Sequence, residues 1–391
     1  MPDGAGGRGR RAVVVVLDAC GAGALPDADA YGDAGADTLG HLAEVVGGLD
    51  LPVLGGLGLG SILPLRGVPP AASPVLHGRL RALGAGKDSA TGHWELMGVV
   101  APAPLPTYPQ GFPPDVIDRV RELTGRGVLC NQPANGIEAI ERFGAEHLRT
   151  GDLIVYTSVD SVLQIAAHVD VVSPDELYAG CRAVRAAMTG EHAVGRVIAR
   201  PFRGGPEGFE RTDGRHDFSV RPPGRSHLEE LADAGVPVHG VGKVPELFAG
   251  VGVAEAHPGA TNAAAIASVD ALLAGLDRGL VFANLVETDQ VYGHRKDAEG
   301  FHRALREIDA AAGRWLAALR PSDLLVLTAD HGCDITRPGS DHTREHAPLL
   351  ARFDRHGGRR HDGPLADVGA SVLRWLTGED APGLPGQPFV D

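Results

Sequence analysis

Residues 323–346, DLLVLTADHGCDITRPGSDHTREH, join a strand to a loop crowded with acids and imidazoles. The apolar run Leu324-Leu325-Val326-Leu327-Thr328 has the length and β-branched content of a buried strand. It leads into Asp330-His331-Gly332, and a second acid–imidazole pair, Asp341-His342, follows on the next loop. Open α/β sheets place their chemistry just beyond the carboxyl ends of their strands. A carboxylate and an imidazole delivered there, with another pair a loop away, have the character of ligands to a divalent metal. A single Asp-His pair is equally well a polar loop, so the rest of the chain has to decide.

Two further apolar runs finish in the same way. Residues 11–18 (RAVVVVLD) read as a fully buried strand ending in Asp18, and residues 279–289 (GLVFANLVETD) as one ending in Asp289. Helical stretches at 37–46, 261–276 and 298–319 and a further strand at 236–241 alternate with them, and Ser226-x-x-Glu229 starts another helix. This alternation predicts an α/β core with a mostly parallel sheet sandwiched by helices. Parallel strands bring their carboxyl ends to one edge, so the three carboxylates converge. His294 lies five residues after Asp289, His331 adjoins Asp330, and His342 is on the following loop. His168, His216, His227 and His257 read as structural or surface residues.

Carboxylates mixed with imidazoles, and no cysteine, suit Mn²⁺, Zn²⁺ or Mg²⁺. Six ligands crowd a single ion, so a pair of ions divides them better, and such pairs clamp the attacking and leaving oxygens of a phosphoryl transfer. A hydroxyl held there becomes a nucleophile. Ser89 or Thr91, in GKDSATGHWE at 86–95, could supply it, although the same stretch also reads as a turn and helix cap. It lacks the spacing of a P-loop, and Pro26 stands where a dinucleotide fingerprint beginning at Gly21 needs its third glycine.

A length of 391 residues favours two domains. The formal charge of −14 argues against a nucleic-acid or anionic-membrane partner. Cys20, Cys130, Cys181 and Cys333 form no paired motif, which fits a reducing compartment. The short apolar run after Arg10-Arg11 is closed by Asp18 without a cleavage signal, and no stretch reaches membrane-spanning length, so a cytoplasmic protein is expected. Residues 51–70 read as a loop punctuated by Gly and Pro. Proline-dense residues 100–114 and the RPPG-containing stretch 215–225 bracket a distinct module, whose helix begins with a capping box at Ser173-Pro174-Asp175-Glu176. The expected organisation is a discontinuous core, 1–103 and 219–391, carrying an inserted α/β cap, 104–218.

Taken together, VLDACGAGALPDA, GKDSATGHWELMG, LIVYTSVDSVLQIAAH, GRVIARPF, RHDFSVRPPGR, VYGHRKD and TADHGCDITRPGSDHTREHAPLL resemble the phosphopentomutase family of the alkaline phosphatase superfamily along nearly the whole chain. The resemblance implies an alkaline-phosphatase-like core and an isomerase interconverting α-D-ribose 1-phosphate and ribose 5-phosphate, and the deoxyribose pair. It implies one Mn²⁺ held by Asp18, Asp330 and His331 and another by Asp289, His294 and His342, with Mg²⁺, Zn²⁺ or Co²⁺ as alternatives. Ser89 stands at the position of the family's phosphorylated threonine, and Glu287-Thr288 where the family has Asp-Phe. Substrate contacts are implied for Asp160, Arg196 and Arg211 of the cap and Lys243 of the core, with a sugar bisphosphate as activator and a monomeric enzyme of nucleoside and pentose phosphate metabolism. The competing readings are a two-metal phosphatase, a phosphomutase for a related sugar phosphate, and a non-catalytic metal- or sugar-binding relative.

Overall fold

In the computed structural model, which describes residues 9–158, 161–354 and 357–391, the chain divides into two compact units. One comprises the residues up to Pro104 together with Pro222–Asp391, the other Leu105–Arg221. The first segment supplies β1 (Arg11–Leu17) and β2 (Leu76–Arg81). The smaller unit holds β3 (Val128–Pro133), β4 (Leu153–Thr157), β5 (Val162–His168), β6 (Arg196–Gly205), β7 (Gly208–Arg211) and β8 (His216–Ser219). The chain then adds β9 (Val238–Val241), β10 (Glu255–His257), β11 (Gly279–Leu285), β12 (Asp323–Thr328), β13 (Ala347–Arg352) and β14 (Gly363–Pro364) to the larger unit.

The larger sheet runs β10-β9-β11-β1-β12-β13-β2-β14. β1 lies parallel between β11 and β12, in register from Arg11↔Gly279 to Leu17↔Leu285 and from Arg11↔Asp323 to Val16↔Thr328. Every residue of these three strands is buried, which is why they read as mostly apolar runs: a parallel sheet is covered on both faces. The amino ends of β1 and β12 are tied by a buried bidentate pair. Arg11 Nε and Nη2 donate to Asp323 Oδ1 and Oδ2 at 3.1 and 2.5 Å, and Nη1 donates to the Leu273 carbonyl at 2.6 Å. The carboxyl ends therefore share the opposite edge. The antiparallel part, β13 against β12 and β2, accounts for "mostly" parallel.

Some details depart from the sequence reading. Residues 51–70 contain two short helices, Pro52–Leu57 and Leu59–Ile62. The first starts on a proline, whose fixed φ suits that position, and its free amides at Val53 and Leu54 donate to Asp309 Oδ2 and Oδ1 at 3.2 and 2.7 Å. The strand before Asp289 stops at Leu285, and Asp289 lies on a wide helical turn, Thr288–Gly293. The stretch 215–225 contributes β8, which pairs antiparallel with β6. At Ser173 only half the capping box forms: Ser173 Oγ accepts from Glu176 N at 3.3 Å, while the Glu176 carboxylate turns to Arg126. The box at Ser226 and Glu229 is complete.

The smaller unit carries the sheet β3-β4-β5-β6-β7, with β8 also on β6. Apolar side chains of the helices Pro114–Thr124 and Pro174–Ala187 close over one side of it in a cluster that includes Val116, Val120, Leu163, Leu177, Val184 and Val197. Ala139 and Ile140, from the helix Gly136–Thr150, join Ile154, Tyr156, Ala166 and Phe202 in a second cluster. Among the described residues no helix is long and apolar enough to cross a membrane.

Candidate active site

Asp18 follows β1 directly, and Asp330 lies two residues beyond β12. The two are joined through Ala19, whose amide donates to Asp330 Oδ1 at 3.2 Å. Asp18 itself is fixed by Asn284 Nδ2 on its Oδ2 at 3.0 Å and by Thr288 Oγ1 on its backbone oxygen at 2.7 Å. His331 turns its Nε2 toward these carboxylates, 3.4 Å from Asp18 Oδ1 and 3.5 Å from Asp330 Oδ2.

A second group adjoins it. The turn Thr288–Gly293 is one residue wider than an α-helical turn, and the His294 amide donates five residues back, to the Asp289 carbonyl, at 3.1 Å. Asp289 Oδ1 thereby sits 3.4 Å from His294 Nε2 and 3.3 Å from His342 Nε2, and the two imidazole nitrogens are 3.2 Å apart. The His331 and His342 rings stack with centroids 4.0 Å apart, so the groups are contiguous. Ligand atoms of Asp18, Asp330 and His331 lie within 4.8 Å of one another, as do those of Asp289, His331 and His342.

The donors suit a divalent cation. His294 Nδ1 donates to the Ser340 carbonyl at 2.6 Å and His331 Nδ1 to the Gly332 carbonyl at 3.1 Å. That arrangement spends one ring proton on the backbone and leaves Nε2 as the ligating lone pair. Buried Asp289 Oδ1 has no hydrogen-bond donor, although three imidazoles surround it. Without an ion the cluster must keep a proton: burial alone would pull the His331 imidazole down, but the charges of Asp330, then Asp18 and Asp289, push it up to about 10. Burial likewise works to raise Asp289, yet the His294 and His342 imidazoles, 3.4 and 3.3 Å from its Oδ1, hold it well below the usual carboxylate range.

Ser89 Oγ completes the arrangement, 3.3 Å from Asp18 Oδ1 and 3.1 Å from His331 Nε2. It opens the helix Ser89–Leu96 beneath an Asp88 cap, whose Oδ1 accepts from Ala90 N and Thr91 N at 3.0 and 3.1 Å. Thr91, the other candidate hydroxyl, is spent on Asp88 Oδ2 at 2.8 Å. Gly92 lets this helix approach Asp330: a Cβ there would stand 2.6 Å from the Asp330 carbonyl oxygen. Buried His93 donates from Nδ1 to the Ser89 carbonyl at 2.8 Å and lies 3.0 Å from Asp330 Oδ2, bracing Ser89 and Asp330 against each other.

A model of the metalloenzyme superfamily matches residues 10–379. A phosphopentomutase of Anaeromyxobacter sp. is 51% identical over 367 residues, 93% of this chain and 94% of the relative. One from Anaeromyxobacter dehalogenans is 52% identical over 375 residues, 94% and 95% of the two chains. The chain belongs to the phosphopentomutase family. It is an isomerase of the metalloenzyme superfamily, and a divalent metal belongs to its working form. A phosphoglycerate mutase from Leishmania mexicana shares the fold, with a TM-score of 0.50 over 97% of this chain and 98% of that one at 15% identity.

The phosphopentomutase substrate residues expected from sequence lie in both units, and Asp160 falls outside the described residues. Arg196 begins β6, 3.4 Å from Asp217 Oδ2, and Arg211 ends β7 beside the Tyr156 hydroxyl. Arg200 and Arg215 act on the same tyrosine, so the smaller unit of an acidic protein concentrates positive charge at one place. Lys243 sits just beyond β9, at the start of the helical turn Val244–Leu247.

Several supporting residues carry no signal of their role in the sequence. Lys87 bridges Asp33 Oδ2 and Asp341 Oδ2, each at 3.1 Å, and so ties the Ser89 loop to the loop carrying His342. Buried Arg344 bonds Asp27 through Nε and Nη2 and the Gly86 carbonyl through Nη1 at 2.8 Å. Cys333 lies within ligand distance of Asp289 and His294, but burial and then the Asp289 charge keep its thiol protonated well above the usual range. The departing pair Glu287-Thr288 also has local partners: Glu287 exchanges hydrogen bonds with Asn262, and Thr288 holds Asp18.

Proposed function

We propose that the enzyme interconverts α-D-ribose 1-phosphate and D-ribose 5-phosphate, and the 2-deoxyribose pair, through a phosphoserine at position 89 and a pentose bisphosphate intermediate. The observation that carries this reading is the placement of Ser89 Oγ at 3.3 Å from Asp18 and 3.1 Å from His331, within the carboxylate–imidazole cluster. Asp18, Asp330 and His331 would hold one ion, and Asp289, His294 and His342 the other, with Mn²⁺ as the physiological metal. When bound, these ions would neutralise phosphoryl charge and favour the alkoxide of the serine.

Phosphoryl transfer then follows from what the side chains can hold. The free 5-hydroxyl of ribose 1-phosphate attacks phosphorus on phospho-Ser89. Its O–P bond forms as the Ser89 Oγ–P bond breaks, and the hydroxyl proton is released to the site. The resulting bisphosphate turns end for end, and Ser89 Oγ attacks the 1-phosphate: the Oγ–P bond re-forms as the bond between phosphorus and the C1 oxygen breaks, and the released proton returns to that sugar oxygen. A sugar bisphosphate would charge Ser89 at the outset. The first amides of the Ser89 helix are already occupied by Asp88, so the charge of phospho-Ser89 has to be met by cations. Arg196 and Arg211 of the cap and Lys243 of the core are assigned to the pentose phosphate, along with Asp160 for a sugar hydroxyl. The enzyme is taken to act as a cytoplasmic monomer.

The test is product analysis. With ribose 1-phosphate, Mn²⁺ and a trace of glucose 1,6-bisphosphate, ribose 5-phosphate should accumulate. Free phosphate as the main product would replace this reading with that of a phosphatase.

A further inference from the structure

The outer edge of the larger sheet carries a second group of imidazole and carboxylate side chains that shares no residue with the site around Ser89. β9 and β10 are parallel neighbours, with His239 opposite Glu255 and Val241 opposite His257. Residues two apart on a strand point to the same face, so Glu255 and His257 project together beside His239. His239 Nδ1 is 3.0 Å from His257 Nε2 and 3.5 Å from Glu255 Oε2. His257 Nε2 is 3.9 Å from Glu255 Oε1. The three ligand atoms all lie within 4.8 Å of one another.

Two donors bound to one tetrahedral zinc ion at about 2.0–2.1 Å stand roughly 3.3 Å apart. The His239–His257 and Glu255–His239 separations fall within a few tenths of an ångström of that edge. Both imidazoles are mostly buried, while Glu255 is exposed and free to swing inward. Two protonated rings could not be held nitrogen to nitrogen at 3.0 Å. Burial, and then the neighbouring His257, push the His239 imidazole below its usual value. The two nitrogens share one proton at that distance, and an ion taking its place would meet a lone pair from each ring. Two neutral imidazoles, one carboxylate and an open fourth position are a recurrent zinc donor set.

We propose that His239, Glu255 and His257 form a further metal site, separate from the Ser89 centre, that takes Zn²⁺ and clamps β10 to β9. β10 is a three-residue edge strand, and an ion spanning both strands would secure it. The clamp also reaches the chain beyond β9. That strand leads into Gly242 and Lys243, and the Gly242 amide donates to the His257 carbonyl at 3.2 Å.

The test is zinc content of the full chain after loading with Zn²⁺ and desalting against a colorimetric zinc chelator. His257→Ala and His239→Ala should each retain one zinc per chain fewer than the parent protein, with turnover on Mn²⁺ unchanged. Glu255→Gln, an exposed and isosteric change, should weaken the same ion by at least about tenfold, since loss of even an outer partner to a metal ligand costs that much. Equal zinc retention in the parent and in both histidine variants would overturn the site. So would an unaltered affinity in Glu255→Gln, which decides the matter even if a histidine variant fails to fold.

Discussion

Ser89 Oγ lies 3.1 Å from Nε2 of His331, the imidazole standing between the two halves of the carboxylate cluster. In the proposed mechanism this hydroxyl is the nucleophile, and removing it should leave the surrounding carboxylates and imidazoles in position. Ser89→Ala is expected to lower mutase turnover by on the order of 10⁴-fold or more, the scale of losing a catalytic nucleophile, with Mn²⁺ content unchanged. Ser89→Thr restores the family's residue and should remain active, because the added methyl restricts χ1 without removing the oxygen. Metal analysis beside a ribose 5-phosphate assay checks both. Substantial turnover in the alanine variant would rule out a phosphoserine.

The same imidazole couples metal binding to pH. In the metal-free protein His331 is raised from an unfolded value near 6.5 to about 10. Its protonated form therefore contributes stability that is fully present below about pH 6.5 and lost as pH rises through about 10. An ion bound by Asp18, Asp330 and His331 has to displace that proton. Its affinity should rise by roughly tenfold per pH unit between about pH 7 and 9, with about one proton released from this ring. Calorimetric Mn²⁺ titrations at several pH values, in buffers of different ionisation enthalpy, measure both quantities. A flat affinity profile would mean that His331 is already neutral in the free enzyme.

Arg211 offers a way to separate substrate binding from metal chemistry. It is exposed at the end of β7, beside Arg200, Arg215 and the Tyr156 hydroxyl. A hydrogen bond from its guanidinium to a phosphate would contribute about 1.5–3 kcal/mol. Arg211→Ala should accordingly raise KM for pentose phosphates by roughly tenfold to hundredfold, with metal content intact. An unchanged KM would return Arg211 to the role of a surface charge.

The parts of this molecule that are legible in sequence are those with short-range causes. β1, β11 and β12 announce themselves because strands covered on both faces are mostly apolar, and adjacent parallel strands then bring Asp18 and Asp330 to one edge. Asp289 reaches that edge by a different route from the one its sequence suggests. A strand-like run precedes it, but a wide helical turn delivers it, and nothing in DQVYGH marks a ladder of five-residue hydrogen bonds. The helix at Pro52 escapes a sequence reading because its cap, Asp309, comes from a helix over 250 residues away in sequence. Lys87 and Arg344 are silent for the same reason: their partners belong to other loops. His257 reads as a structural or surface residue, since only strand pairing reveals that it faces His239.

Gly92 turns this dependence on close approach into a test. The helix Ser89–Leu96 passes so near Asp330 that a Cβ at position 92 would lie 2.6 Å from its carbonyl oxygen, 2.8 Å from its Cβ and 3.0 Å from its carbonyl carbon. Two of these atoms are backbone and cannot rotate aside, so the helix itself has to retreat. Alanine is otherwise the better helix former, and a simple propensity argument would forecast stabilisation of up to about 1 kcal/mol. Close packing predicts the reverse. Gly92→Ala should carry Ser89 and His93 away from Asp330, lowering turnover by about a hundredfold for a shift near 1 Å and lowering the melting temperature as well. Kinetics and thermal denaturation of the Mn²⁺-loaded variant distinguish the two. A variant as active as the parent and more stable would show that the approach of this helix to Asp330 does not set the position of the nucleophile.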